Sequence, residues 1–365
     1  MKILITAHFR VFPMDSGGAV RTISIASCLE KMGHQIIMLT GDNPLPAHGY
    51  HHIPGEWNGF KMYGQPGYFM NPSFYRAYVR LLAKSPDLII SSCPFQSFML
   101  VQQAKKKKIP IVYDSHNVEA DRFRSSGNHF KSLIVRKAEC YLARHARAIL
   151  AVSVEDRKLF KQYYDVEALL LPNGVDVKKF SPDGYNAELI STYELNDKRV
   201  LIYFGSYDYP PNIEALRYLL KIWPDILNQY PDARLLVVGR YPPDWAGSIP
   251  GVIVTGPVDD IAAHIRLANI VVVPLKQGGG TRLKILEALA CGQTVLSTPF
   301  GATGIEPDQD QKALILSDLN DFQNKLFELL HSPPDPCSNM ISKDLALKYD
   351  WCSMVANIDW ERLLL

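Results

Sequence analysis

A glycine-rich segment in the second half of the chain carries residue types that bind anions. It supplies backbone N–H groups, a hydroxyl, two cations and a carboxylate: Gly278, Gly279, Gly280, Thr281, Arg282, Lys284 and Glu287. Glycines leave the N–H groups at a helix start open to a ligand, and the positive end of the helix dipole attracts negative charge. Lys284 and Glu287 are three residues apart and share one helix face. The pattern indicates a phosphate or nucleotide site; the alternative is an ordinary strand–helix turn followed by a solvated ion pair.

A second polar cluster follows an apolar run in the first half of the chain. Asp114 ends that run, and the residues after it read Ser-His-Asn-Val-Glu, from Ser115 to Glu119. In doubly wound folds, catalytic groups tend to lie at the carboxyl ends of parallel strands. Taken alone, a histidine such as His116 is more often a hydrogen-bonded loop residue than a catalyst.

Two adjacent glycines form a third candidate for anion binding. Gly17 and Gly18 stand where a predicted helix begins, so their N–H groups are available to an anion. A simple helix cap explains them equally well. The segment lacks the pattern G-x-G-x-x-G, which argues against a dinucleotide site.

Apolar strands that alternate with amphipathic helices must position these segments. Strands are predicted at 2–7, 35–40, 86–92, 109–114, 148–153 and 169–171, and then at 199–204, 233–238, 252–255, 270–275, 294–298 and 313–316. The first helix ends at Gly33 and turns its apolar residues to the core, namely Val20, Ile23, Ala26, Leu29 and Met32. Residues 44–67 are rich in Pro, Gly and His and are expected to be irregular. The alternation predicts an α/β protein with two parallel sheets, each covered by helices on both faces.

Three motifs together resemble a known family. They are the segment 269–304 that contains GGGTRLKILEALACG, the D-x-H-N-V-E motif at 114–119, and P-N-G-V-D at 172–176. They are similar to motifs of the glycosyl transferases group 1, which are retaining, nucleotide-sugar-dependent enzymes of the GT-B fold. The resemblance implies two Rossmann-like domains that face each other across a cleft. It places an acceptor-side domain at 1–183, a nucleotide-sugar-binding domain at 184–345, and at 346–365 a C-terminal helix that packs back on the first domain.

The resemblance also implies roles for individual residues. Glu287 occupies the place of the glutamate that holds the ribose. Gly17 and Gly18 occupy the place of the glycine pair that faces the donor diphosphate. His116 takes the place of the histidine beside the donor sugar, with Glu119 and Arg122 in supporting roles.

The chain departs from the family pattern at three positions. In the family, a second glutamate usually contacts the donor sugar. This chain has Gly279 at that position, as does a subgroup whose loop reads GGGTRLKILEA. Ser206 and Asn212 stand where an arginine and a lysine usually bind the diphosphate. Because a departing diphosphate gains negative charge, we expect other cations to take over this function. The nearest are Arg240, Arg282 and Lys284.

The activity implied is transfer of a glycosyl unit, with retention, from a nucleoside-diphosphate sugar to a saccharide or lipid-linked saccharide in polysaccharide or glycoconjugate biosynthesis. The nucleotide-sugar is a co-substrate, and neither a further cofactor nor a metal is expected. Two alternatives stay open, a nucleotide-sugar epimerase and a catalytically silent homologue that binds nucleotide-sugar.

Composition sets the remaining bounds. Of 365 residues, 47% are hydrophobic and 21% charged, which is typical of a globular protein, and the net charge of +2 does not favour nucleic acid. The six cysteines show no metal-ligand spacing, so we expect a reducing compartment and no disulfide framework. With no signal peptide and no membrane-spanning run predicted, we expect a cytoplasmic protein. The basic amphipathic helix predicted at 130–147 either rests peripherally on the inner face of a membrane or is an ordinary packed surface helix.

Overall fold

The structure, a computed structural model, describes residues 1–365 apart from 13, 15, 42–53, 63–69, 126, 185, 278–282, 308, 311, 333–337 and 365. The chain divides into two compact units, one made of Met1–Asn173 with Trp351–Leu365 and the other of Gly174–Asp350. The sequence-based boundaries lay at 183/184 and 345/346, whereas the structure divides the chain at 173/174 and 350/351.

The first unit, unit 1, is built on a parallel sheet of seven strands in the order β3-β2-β1-β4-β5-β6-β7. The strands are β1 (Lys2–Ala7), β2 (Gln35–Gly41), β3 (Glu56–Phe60), β4 (Leu88–Ser91), β5 (Ile111–Ser115), β6 (Ala148–Ala151) and β7 (Leu169–Leu170). Its helices are α1 (Gly17–Lys31), α2 (Pro72–Leu82), α3 (Ser97–Lys107), α4 (Glu119–Ser125), α5 (His129–His145) and α6 (Val154–Tyr164). The central strands are buried along their whole length, as is typical of a parallel sheet covered on both faces.

Two expectations for unit 1 were wrong. The segment 44–67 was expected to be irregular, but it contains the edge strand β3, in which only Phe60 is buried, so the strand lacks the apolar alternation that would reveal it. Residues 44–53 and 63–67 of the segment lie outside the described residues. On α1, Met32 is 41% exposed because the helix ends before it, and Val20 is only half-buried. Arg21 and Thr22 are buried in addition to the predicted apolar residues.

The second unit, unit 2, is built on a parallel sheet of six strands in the order β10-β9-β8-β11-β12-β13. The strands are β8 (Arg199–Phe204), β9 (Ala233–Val238), β10 (Val252–Gly256), β11 (Ile270–Val273), β12 (Thr294–Ser297) and β13 (Leu314–Leu316). The helices are α7 (Ala187–Thr192), α8 (Pro210–Gln229), α9 (Ile261–Ile265), α10 (Leu283–Ala290), α11 (Phe322–His331) and α12 (Ser338–Leu347). Gly292 has a φ of 79° just after α10, in the left-handed region that favours glycine at the end of a helix. The predicted α/β class with two parallel sheets is confirmed.

The end of the chain returns to unit 1 as α13 (Trp351–Ala356), and a short 3₁₀ turn follows at Arg362–Leu364. Cys28 of α1 and Cys352 of α13 form a disulfide, which corrects the expectation that the cysteines stay unpaired. The two residues are 324 positions apart, so their spacing gave no sign of the pairing. Within the described ranges, no helix combines the length and the apolar character needed to cross a membrane.

Candidate functional site

In unit 1, the site is centred on His116, which directly follows β5. The Nε2 atom of His116 lies 3.1 Å from Oδ2 of Asp114, the fourth residue of that strand. The imidazole contacts the ring of Phe9, with 5.6 Å between ring centroids. Gly18 is close to both rings, since an added Cβ there would stand 3.0 Å from Nδ1 of His116 and 3.4 Å from the Phe9 ring. The histidine thus lies beside the segment that follows β1 and the first turn of α1.

Asp114 is one partner in a buried ion pair with Arg21 of α1. The Nε and Nη2 atoms of Arg21 donate to Oδ1 of Asp114 over 2.8 and 2.6 Å, and both residues are 1% exposed. Burial alone raises the pKa of a carboxyl, but the Arg21 charge and the hydrogen bond to His116 outweigh it and lower the pKa of Asp114 to about 2. Asp114 is therefore ionised at neutral pH although it is fully buried.

Gly17 and Gly18 begin α1, as predicted. The Ser16 side chain accepts from the Ala19 N–H, and the Ser16 carbonyl accepts from Val20. The first N–H groups of a helix have no partner within the helix, so those of Gly17 and Gly18 point out of its start. A side chain at Gly18 would crowd His116, which explains why the backbone approaches the imidazole through a glycine.

The other predicted residues of this cluster pair with each other. Glu119 opens α4, and its carboxylate accepts from Nε and Nη2 of Arg122 over 3.0 and 2.6 Å. The N–H of Glu119 donates to Oε1 of the buried Glu139, which also accepts from the hydroxyls of Tyr113 and Tyr164. Burial raises the pKa of Glu139 to about 7 in spite of these hydrogen bonds. The side chain of Glu139 thus fixes the start of α4, the helix that carries Glu119.

In unit 2, Lys284 of α10 reaches the end of strand β8. Its Nζ lies 3.1 Å from Oδ1 of Asn212 and 4.6 Å from the centroid of the Tyr203 ring. An added Cβ on Gly205 would be 3.2 Å from the same Nζ. The ammonium therefore lies beside Asn212, one of the two positions where the family pattern has a cation and this chain does not. The other, Ser206, donates a hydrogen bond to Asp208.

Glu287 lies one turn after Lys284 on α10 and is half-buried. Burial raises the pKa of Glu287 to about 7, although the charges of Lys179 and Lys284 oppose this shift. Lys179 was not singled out in the sequence, because it follows P-N-G-V-D in a stretch with no periodic pattern.

Arg240 follows β9, at the same edge of the sheet. Its carbonyl accepts from the Tyr207 N–H over 2.9 Å, and its guanidinium lies 5.8 Å from the centroid of the Tyr241 ring. Before it, Gly239 has a φ of 134°, and an added Cβ would overlap the carbonyl oxygen of Gly205. The ends of β8 and β9 thus approach each other closely through two glycines, and Arg240 and Lys284 both belong to the carboxyl edge of this sheet.

Four predicted residues, Gly279, Gly280, Thr281 and Arg282, lie outside the described residues. Among the described residues, no group of three or more His, Cys, Asp or Glu side chains is arranged to hold a metal ion.

Sequence reasoning missed Arg21 as a member of the site. The apolar spacing of α1 suggested a helix with one buried stripe, in which an arginine reads as a surface residue. The available signal was the pairing of Arg21 with the strand-end aspartate Asp114, and only the fold brings those two residues together.

Comparison with known proteins identifies both halves of the chain. Residues 198–332 match the family model described as Glycosyl transferases group 1, and residues 16–174 match the one described as Glycosyl transferase 4-like domain. A phosphatidyl-myo-inositol mannosyltransferase of Mycolicibacterium smegmatis is 25% identical over 308 residues, which are 80% of this chain and 74% of the relative. An alpha-monoglucosyldiacylglycerol synthase of Streptococcus pneumoniae is 23% identical over 92% of this chain and 79% of its own length.

The fold matches solved structures over its whole length. HepE of Anabaena, solved with UDP and glucose, superposes with a TM-score of 0.71 at 17% identity, and the match covers 100% of both chains. The two parallel-sheet units are thus the two Rossmann-like domains of a GT-B protein. The two family matches take in most of the chain. The chain therefore belongs to the glycosyl transferases group 1, and its first half is a glycosyl transferase 4-like domain.

Proposed function

We propose that the protein transfers a glycosyl unit, with retention of configuration and without a metal, from a nucleoside-diphosphate sugar to a saccharide or lipid-linked saccharide. Unit 2 binds the nucleotide, with Glu287 on the ribose. Unit 1 carries the acceptor side, with His116 beside the donor sugar, and Gly17 and Gly18 donate N–H groups to the diphosphate. In this assignment, catalysis depends on orientation and on stabilising the departing diphosphate.

One observation carries the proposal, namely the position of Lys284. Its ammonium lies 3.1 Å from the Asn212 side chain, beside the end of β8, so a cation is present where the family's usual lysine is absent. Glu287 follows on the same helix, which gives one short segment a cation for phosphate and a carboxylate for hydroxyl groups. Arg240 adds a second cation at the same edge, and Arg282 completes the predicted set.

The acceptor belongs to the finer part of the proposal. The two relatives named above bear the names of enzymes that glycosylate lipids, which supports a lipid or lipid-linked acceptor here. On α5, Phe130 is 75% and Leu133 61% exposed, and Arg136 and Lys137 beside them are exposed as well. A face that combines apolar and basic side chains suits the surface of an anionic bilayer. We propose peripheral contact through this helix.

One assay distinguishes the proposed transfer from two alternative functions. A nucleotide-sugar epimerase would convert the donor to an isomer, and a silent homologue would bind it without turnover. Incubation with a panel of radiolabelled nucleotide-sugars separates the three, because a transferase slowly hydrolyses one donor in the absence of acceptor. Conversion to an isomer, or binding with no turnover at all, would overturn the proposed transfer.

The nucleotide site has its own test. Thermal shift with UDP, GDP, ADP and CMP should identify one ligand that raises the unfolding temperature, since binding only to the native state stabilises it. Glu287→Gln should weaken that shift, whereas Glu328→Gln, on the exposed surface of α11, should leave it unchanged. Equal shifts in all three proteins would refute the assignment of Glu287 to the ribose.

The membrane contact is tested with vesicles of anionic lipid. Replacement of Phe130 and Leu133 by serine should reduce sedimentation with the vesicles, whereas Val154→Ser, at an apolar residue of α6 that is 47% exposed, should not. If both variants sediment like the unaltered protein, α5 is an ordinary surface helix.

A further inference from the structure

The two imidazole nitrogens of His116 have different environments. Nε2 faces Oδ2 of Asp114 at 3.1 Å, whereas Nδ1 lies on the side of Gly18. A neutral imidazole carries its proton on only one nitrogen and presents a lone pair on the other. Which nitrogen holds the proton decides whether the histidine offers a donor or an acceptor on the side of the Gly17–Gly18 turn.

Asp114 settles this choice. The carboxylate is ionised and can only accept hydrogen bonds, so the atom that faces it must be a donor. Nε2 of His116 therefore carries the proton, and Nδ1 keeps its lone pair. A lone pair repels phosphate oxygens and accepts from hydroxyl groups, so the side of the ring that faces Gly18 selects a sugar hydroxyl over the diphosphate.

Arg21 keeps Asp114 in the orientation that this requires. It occupies Oδ1 with two donors and leaves Oδ2 for His116. The remaining terminal nitrogen of the guanidinium donates to the carbonyl of Leu171 over 2.9 Å and to Oδ1 of Asn173 over 3.1 Å. Held from both sides, the guanidinium cannot turn away, and the carboxylate cannot exchange its two oxygens.

We propose that Asp114, held in place by Arg21, fixes His116 in the tautomer with its proton on Nε2, so that Nδ1 accepts a hydrogen bond from a substrate hydroxyl. Asp114 and Arg21 are positioning residues, because they act only through His116. That the hydroxyl belongs to a sugar rests on the proposed function; the tautomer itself does not.

The decisive variant is Asp114→Asn. Because Arg21 requires an acceptor, the amide oxygen stays at the position of Oδ1 and the NH₂ group takes that of Oδ2. The NH₂ group then donates to Nε2 of His116 and moves the imidazole proton to Nδ1. The change keeps the volume and the Arg21 hydrogen bonds of the side chain and reverses the tautomer, and it also removes the negative charge that faces Arg21.

Nitrogen NMR of ¹⁵N-histidine-labelled protein shows directly which imidazole nitrogen carries the proton. The measurement is made at about pH 8, above the ordinary imidazole pKa of about 6.5. The protein has ten histidines, and His116→Gln identifies the signal. His264 provides an internal reference, because its Nδ1 lies 2.7 Å from the carbonyl oxygen of Asp260 and must carry the proton. We expect His116 protonated on Nε2, a switch to Nδ1 in Asp114→Asn, and no change at His264. A proton on Nδ1 in the unaltered protein, or the same tautomer in both proteins, overturns the proposal.

Kinetics give a second test once a donor is known. Asp114→Asn should lower turnover about 10- to 100-fold while nucleotide binding in unit 2 stays unchanged. The double change with His116→Gln should be no slower than His116→Gln alone, since Asp114 acts through the histidine. A further loss in the double variant would assign Asp114 a purely structural role. If the unaltered protein turned over no nucleotide-sugar, the proposed function would fail and the NMR result would still decide the tautomer.

Discussion

Two carboxyl groups, one in each unit, show opposite responses to burial. In unit 1, Asp114 has a pKa of about 2 because Arg21 lies against it. In unit 2, the charges of Lys179 and Lys284 do not outweigh burial, and the pKa of Glu287 is about 7. The first carboxylate thus has its cation built into the fold, and the second changes charge near neutral pH. We infer that Asp114 maintains the geometry of the site, whereas Glu287 is poised to respond to a ligand.

The largest effect on stability is expected from breaking the buried ion pair between Arg21 and Asp114. Arg21→Met should lower the free energy of unfolding by about 3–5 kcal/mol, because it leaves the Asp114 charge buried without a partner. Urea denaturation measures it, with Arg76→Met, which lies on the exposed side of α2, as a control.

The double variant Arg21→Met with Asp114→Asn should recover much of that stability, because it removes the uncompensated charge. A loss as large in the double variant as in Arg21→Met would show that the arginine stabilises unit 1 through its contacts with Leu171 and Asn173 instead.

The two sites also differ in how far the sequence predicted them. The strands next to both sites were predicted, because β5, β8 and β9 are continuous apolar runs between turn residues. Edge strand β3 was missed because only one of its five residues, Phe60, is buried.

Side-chain partners were harder to predict than strands. Arg21 and Asp114 are 93 positions apart and Lys284 and Asn212 are 72 apart, so local spacing does not show either contact. The resemblance to a family pointed to His116, Glu287 and the loss of a cation at Asn212, but not to the side chains that surround them.

The raised pKa of Glu287 predicts a pH dependence of stability. The folded protein holds the Glu287 proton up to about pH 7, whereas the ordinary value is 4.5. As pH rises between these values, the unfolded chain loses the proton first, so the free energy of unfolding falls, by at most about 3 kcal/mol because the side chain is only half-buried.

Glu287→Gln should abolish this fall, and Glu328→Gln should retain it in parallel denaturation series. Nucleotide affinity should rise over the same interval, since ribose hydroxyls donate to the ionised carboxylate. A Glu287→Gln curve that follows that of the unaltered protein would mean that other groups cause the fall.

A third experiment asks whether Lys284 replaces the missing cation. Lys284→Met should weaken binding of the preferred nucleoside diphosphate about 10- to 100-fold and hardly affect the nucleoside alone, because only the diphosphate needs the charge. Calorimetry of both ligands measures this difference. Adding Asn212→Lys should restore part of the diphosphate affinity, since the Lys284 Nζ lies 3.1 Å from the Asn212 side chain. Equal losses for diphosphate and nucleoside would place Lys284 away from the phosphates.

The smallest effect is expected for an ion pair of the same chemistry in unit 1 whose arginine is exposed. Arg122 binds Glu119 through two nitrogens, as Arg21 binds Asp114, but the Arg122 side chain is 50% exposed. Arg122→Gln should therefore lower the free energy of unfolding by about 1 kcal/mol, less than Arg21→Met, because the Arg122 end of the pair is open to water although the Glu119 side chain is only 12% exposed. Urea denaturation beside Arg21→Met makes the comparison direct, and a loss of equal size would show that burial is not what sets the two pairs apart. If stability hardly changes but donor turnover falls, Arg122 supports the reaction through Glu119, the role that the sequence predicted for this pair.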